Sequence, residues 1–523
     1  MTPHKLRSVL LDTRLLGLSC AEWTAFGLYL LFLALVVPHH EPWADEAQAW
    51  LIARDLPLPG IFHQAGYEGT PALWFCLLKV LCWLHTPYLG MRWLSAASAA
   101  TGVFLFLRYS RFPLPLKLLL PFTFWIQYQY AVVSRNYVLF VPLLFAVAAL
   151  YRERWRRFIL LSLAMAALAQ VSTHALLFSG SLAVVLAWEL WQKGAAKLVS
   201  IRRLRLGALI IAAALAFAYW TARPPHDVTS TALSGNRFAH YPMLVRTAIY
   251  ALRGFRAFSF SFSLWPVLSG IALVSLIVTL YLCRRLALLL PFLGIWMLEG
   301  FVWQGWHAGL LFVSFVGIVW MALADLPPTG LTPPVARATP NADKPEVPGT
   351  PAQGWKRAFG LFGPMRNALL TVLFAGAVLQ LPWTWFAMTS DRSETYCPSQ
   401  RVAAFLQQQA GKRIYGFRYQ SVAILPYFER NIFANQNMAH AYWHWGIDNH
   451  NDDPSTISSA PPDIAVIGWS RASGVEPRDV PLSEVQKALL ANGYAITREF
   501  CGSMFMRNEV SLRPCFELYE RKQ

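Results

Sequence analysis

The sequence predicts a polytopic α-helical membrane protein carrying a C-terminal extracytoplasmic α/β domain. Three observations lead there. Of 523 residues, 56% are hydrophobic and only 14% charged, with a mean hydropathy of +0.38, whereas soluble domains carry roughly a quarter charged residues. Apolar stretches recur up to residue 388, with Lys and Arg concentrated in alternate connections. Beyond that the composition turns polar and helix and strand periods alternate.

A span takes ~20 mostly apolar residues. Eleven segments are expected: 21–38, 89–107, 114–132, 138–151, 158–173, 175–191, 206–222, 264–283, 286–302, 308–324 and 367–388. The first follows a basic N-terminus (Lys5, Arg7, Arg14) and lacks an A-x-A cleavage site, so it reads as an uncleaved span. A cytoplasmic N-terminus puts the basic runs Arg108–Lys117, Arg152–Arg157, Lys193–Arg205 and Arg284–Arg285, and the loop 325–366, on the cytoplasmic side, as the positive-inside rule requires. The turns near 134–137, 172–175 and 300–307 hold one Arg between them. Two long outside loops result, 39–88 and 223–263. Residues 326–351 contain eight prolines and read as a cytoplasmic linker. The membrane domain is expected over 1–390, and an odd number of spans puts the domain 391–523 outside. The net charge of +17 belongs to cytoplasmic loops facing anionic lipid. The spans exclude a soluble nucleic-acid binder.

The tail reads as helix 399–410, strand 413–418, strand 463–468, helix 482–492 and strands 494–499 and 503–507. Cys501 and Cys515 flank a turn at Arg507–Glu509, so a hairpin disulfide and two free thiols are both open. The aromatic run Tyr442-Trp443-His444-Trp445 suits either core packing or stacking on a sugar ring.

Candidate chemistry lies at the outside ends of the spans. Trp43, Ala47, Trp50 and Leu51 share a helical face, predicting a short amphipathic helix on the membrane surface that starts at Pro42. Asp45 and Glu46 fall in its first turn, where the helix dipole favours ionised carboxylates. Such a carboxylate can deprotonate a hydroxyl or hold a cation; the plain alternative is capping. Glu68 precedes an interfacial helix over 70–85 and binds substrate or merely starts the helix. Arg135, in the turn Ser134-Arg135-Asn136-Tyr137, can hold a phosphate or snorkel to lipid headgroups. Glu299 and His307 flank another outside turn, and ionisable groups there are functional candidates. His174, at a third turn, reads as structural.

With Trp43-Ala44-Asp45-Glu46-Ala47 after the first span, Glu68–Trp74, Arg92-Trp93-Leu94-Ser95, Ser134–Tyr137 and Trp306-His307-Ala308-Gly309-Leu310, the sequence resembles the GT-C glycosyltransferases. The likeness is to the branch holding protein O-mannosyltransferases and the lipid A aminoarabinose transferase. It covers the spans, and the tail in outline. It implies a polyprenyl-phosphate sugar donor and a glycan, lipid or protein acceptor, with inversion at the sugar carbon. It makes Asp45, beside Glu46, the catalytic base or a metal ligand. Arg135, Tyr137, His307 and Arg237 would bind the donor phosphate, with Glu68 and Glu299 at the substrate. A divalent metal is left open. Residues 138–141 hold no acid where some relatives carry a second one, and Trp306 stands where relatives have a basic residue. The implied location is a bacterial inner membrane with the site facing the periplasm. The competing class is a lipid-linked sugar flippase or transporter; a receptor or assembly factor is the third.

Overall fold

The computed structural model describes residues 16–194, 198–229, 238, 240–324, 351–472 and 481–521. Arg237 and linker residues 326–350 lie outside them. The chain is mostly helical, in chain order α1 (Cys20–Val36), α2 (Ala44–Asp55), α3 (Leu58–Tyr67), α4 (Leu73–Trp83), α5 (Met91–Tyr109), α6 (Leu114–Leu119), α7 (Phe140–Tyr151), α8 (Phe158–Ala169), α9 (Thr173–Lys193), α10 (Ile201–Ala222), α11 (Met243–Phe262), α12 (Pro266–Leu282), α13 (Leu289–Val302), α14 (Gly309–Ala324) and α15 (Pro351–Ser393).

Among the described residues, four helices are long and apolar enough to cross a membrane: Tyr88–Tyr109, Thr173–Lys193, Ile201–Ala222 and Gly363–Ser393. The total is five if α11 and α12, bent by 102° at their junction, make one span. Six further apolar helices have only 10–17 residues. The expected eleven spans are therefore an overcount. The predicted span 114–132 is not one helix. Pro115 sits in the first turn of α6, and Pro121 ends that helix, leaving α6, a 3₁₀ turn at Leu120–Phe122 and a π-turn at Trp125–Gln129. It still runs parallel to α1. Lys117 pairs with Glu22 at one end, and Tyr29 Oη donates to Ile126 O (3.0 Å) midway. Irregular backbone at membrane depth is tolerated where protein buries it; residues 123–134 are all buried, and Thr384 Oγ1 donates to Phe122 O (2.9 Å).

Helix α14 is apolar but for Ser314 and every one of its residues is buried, so it is the axis of the bundle. Around it pack α7, α11 and α13. Gly300 lets α13 approach α11 closely, since a Cβ there would sit 2.0 Å from Tyr250 O. That contact fixes the end of α13 that carries Glu299.

The tail holds α16 (Ser399–Gln407), α17 (Ser455–Ser459), α18 (Glu484–Ala491) and strands β1 (Ile414–Phe417), β2 (Ile464–Ala472), β3 (Tyr494–Cys501), β4 (Met504–Met506) and β5 (Glu509–Arg521). The sheet order is β1-β2-β5-β3, with β4 also on β5. Every predicted tail element is present; β5, central to the sheet, the short helix α17 and a 3₁₀ segment at Tyr419–Tyr427 are additions. Cys501 and Cys515 stand opposite each other on β3 and β5 and form a disulfide. The other five cysteines lie outside any disulfide. Intact unreduced protein is therefore expected to alkylate at five cysteines when denatured, and at seven after reduction. Mass spectrometry reads this directly, and seven labels without reductant would refute the bond.

Candidate functional site

Helix α2 begins where the chain leaves α1. Trp43 is its N-cap, and Glu46 accepts from Trp43 N at 3.1 Å. Asp45 and Glu46 do occupy the first turn. The surface-helix expectation fails, however: Ala44 and the run from Glu46 to Ala53 are buried. The tail covers the face that was to meet water, with the 3₁₀ segment Tyr419–Tyr427 packed on α2.

Neighbouring acids on a helix diverge by ~100°, and these two do. Asp45 faces a cavity of about 440 Å³. It pairs with Arg135 and accepts from Tyr419 Oη at 2.9 Å. Glu46 points the other way and is fully buried. It accepts from Ser134 N at 2.5 Å and lies 3.2 Å from His40 Nε2. His40 Nδ1 in turn lies 2.9 Å from Asp391 Oδ2. Glu46 is thus a positioning group rather than a partner of Asp45 in the cavity. Together the two acids seat the 134–137 turn: Glu46 takes its backbone, Asp45 its guanidinium.

The cavity joins residues far apart in sequence. Asp45, Glu68, Arg135, Tyr137, His174, His307, Tyr419 and Trp445 all line it. Asn136 Nδ2 ties the turn to Thr70 Oγ1 (2.9 Å) and to Val171 O (2.8 Å). Thr173 Oγ1 donates to Gly69 O (2.9 Å). Tyr137 Oη lies 2.7 Å from His307 Nε2. Gln48 accepts from Trp443 N (2.8 Å) and donates to Glu68 Oε1 (2.8 Å), binding the tail to the cavity wall. Glu299 is buried just behind the wall, against His174 and His307. Arg92 holds the carbonyls of Pro38 and His40 (3.3 and 2.5 Å), a structural role for that motif.

Electrostatics separates the candidates. Burial pushes the Glu68 carboxyl up to about 7, against hydrogen bonds from Gln48, Gln64 and Trp445. Burial, then the nearby His174 and Arg135, holds His307 well below the usual imidazole range. That shift works against the positive charge that the phosphate-binding expectation for His307 calls for. Arg135 remains the cation, partly exposed at 25% and neutralised by Asp45. In the free protein a guanidinium and a phenol already engage the two Asp45 oxygens that a metal would need.

Sequence reasoning missed Tyr419 and Gln48 and underrated His174. Of the aromatic run, Trp445 lines the cavity, while Trp443 is buried beside Tyr419.

The chain matches no protein-family model, and no curated protein matches it significantly.

Proposed function

We propose that the protein is a membrane glycosyltransferase of the GT-C type, moving a sugar from a polyprenyl-phosphate donor to an acceptor hydroxyl. What carries this reading is the convergence of Asp45, Glu68, Arg135, Tyr137 and His307 on one cavity between the apolar helices and the tail. Asp45 is the base and Arg135 the cation for the departing phosphate. The two neutralise each other in the free protein. An arriving phosphate competes for Arg135 and loosens its hold on Asp45, which then takes the proton of the attacking hydroxyl. Phosphate leaves as an anion, so one base suffices and the single displacement inverts the anomeric carbon. The topology in this proposal places the cavity and tail on the periplasmic side of a bacterial inner membrane. The test is transfer from a radiolabelled polyprenyl-phosphate sugar in purified membranes; release of polyprenyl phosphate with labelled product supports it. Counterflow of the intact lipid in proteoliposomes without covalent product would favour the flippase instead.

Glu68 gives this reading a pH signature. Its charged fraction rises as pH rises through about 7, and the ionised form accepts from sugar hydroxyls at both oxygens, whereas protonation turns one of them into a donor. The KM for donor is expected to fall across that range. In Glu68→Gln the KM should be flat with pH, and an unchanged step would exclude Glu68 as its source.

A further inference from the structure

We propose that His174, Glu299 and His307 form a binding site for one divalent transition metal of the zinc class. They come from the start of α9, the end of α13 and the loop before α14, and their ligand-capable atoms all lie within 4.8 Å of one another. Glu299 is wholly buried and the His174 side chain is 5% exposed. His174 Nε2 lies 2.6 Å and His307 Nδ1 3.9 Å from Glu299 Oε1. Despite this crowding, neither ring nitrogen and neither Glu299 oxygen makes an aligned hydrogen bond among the described residues. Four polar atoms thus converge on one point with no proton well placed between them. A bare carboxylate in such a spot is costly, and a cation at the centre of the three side chains satisfies them all.

The surroundings fit that cation. Tyr137 Oη lies 2.7 Å from His307 Nε2; with the Nε2 proton donated to that phenol oxygen, Nδ1 is left with its lone pair for a metal. Metal-bound histidines are oriented by such a bond to their other nitrogen. Two imidazoles and one carboxylate form a zinc-type donor set that leaves a fourth position open. His174 and His307 both line the 440 Å³ cavity, so that position faces it and takes an oxygen from water or an anionic ligand.

The test uses the full chain, purified in detergent with any affinity tag removed. After exposure to zinc and gel filtration, about one zinc per chain is expected by elemental mass spectrometry. Cobalt(II) should give visible absorption bands of a low-symmetry site. Glu299→Gln and His174→Gln should lose both signals. Tyr137→Phe should keep the site but weaken it by about 10–100-fold. A chelator should lower the melting temperature of the wild type and leave that of Glu299→Gln unmoved. Where a variant fails to fold, zinc and cobalt titration of the wild type decides alone. Absence of retained zinc together with a melting temperature indifferent to zinc and chelator would overturn the site in favour of a His174–Glu299 ion pair. Zinc held by a folded His174→Gln/Glu299→Gln double variant would overturn it too. None of these readouts requires sugar transfer, so failure here and failure of the glycosyltransferase reading are separable.

Discussion

Asp45→Asn is expected to cut sugar transfer by about 10²–10⁴-fold, the usual share of a general base, with the protein still folded. Asparagine has the shape of aspartate and can still accept from Tyr419 Oη, which lies 2.9 Å from Oδ1. What it loses is the negative charge, and with it the proton-accepting ability and the ion pair with Arg135. That pair is partly open to solvent, at 25% and 19% side-chain exposure, so its loss costs little stability. Arg135→Gln separates the roles. It should leave Asp45 unneutralised and raise the donor KM as well as lower kcat, since the proposed reaction binds and stabilises the phosphate through that residue. Turnover by well-expressed Asp45→Asn near the wild-type level would remove this carboxylate from the chemistry and return the 440 Å³ cavity to a binding role.

How far the sequence spoke depends on how local each signal is. The Asp45 turn, the Arg135 turn and the Trp306-His307 loop were visible because short polar interruptions in long apolar runs are conspicuous. Their meeting was not, since nothing local couples Tyr419 to Asp45 across 374 residues. Adjacency in sequence sets Glu46 beside Asp45, but on a helix neighbouring side chains part, and Glu46 turns to Ser134 and His40 instead of the cavity. The surface position of α2 failed for a related reason. Its amphipathic pattern showed that one face is apolar, but not that a domain 360 residues later covers the other. The buried strand β5 was hidden by Pro514, a residue that argues against a central strand. The structure tolerates it at the break between β3 and β4, where Pro514 O accepts from Gly502 N (2.8 Å) and no donor is required. The span count erred because several counted segments form apolar helices of only 10–17 residues, and because apolar length alone does not reveal where Pro121 breaks 114–132.

The largest stability effect should come from His40, which no motif singled out. It is fully buried between two fully buried carboxylates, Glu46 at 3.2 Å and Asp391 at 2.9 Å. Burial alone would lower its pKa, but the charges of Asp391 and Glu46 outweigh that and push it up to about 10. His40 is then a cation clamping α2 to the end of α15, with Tyr128 Oη also 3.2 Å from Asp391 Oδ2. His40→Gln keeps hydrogen-bonding capacity yet leaves two buried acids without their cation, a loss of ~3–5 kcal/mol. The pH dependence has a definite sign. The folded pKa lies above the ordinary value of about 6.5, so the stabilisation is full below about 6.5, declines as pH rises and is gone above about 10. Thermal unfolding should show the wild type converging on His40→Gln between pH 7 and 10; parallel curves over that range would refute a charged His40. The clamp reaches the site as well, because Glu46 also holds Ser134 N (2.5 Å), the residue next to Arg135. A folded His40→Gln protein should therefore show weakened donor binding even at temperatures far below its melting point, for the turn that aims Arg135 at Asp45 has lost the anchor beneath it.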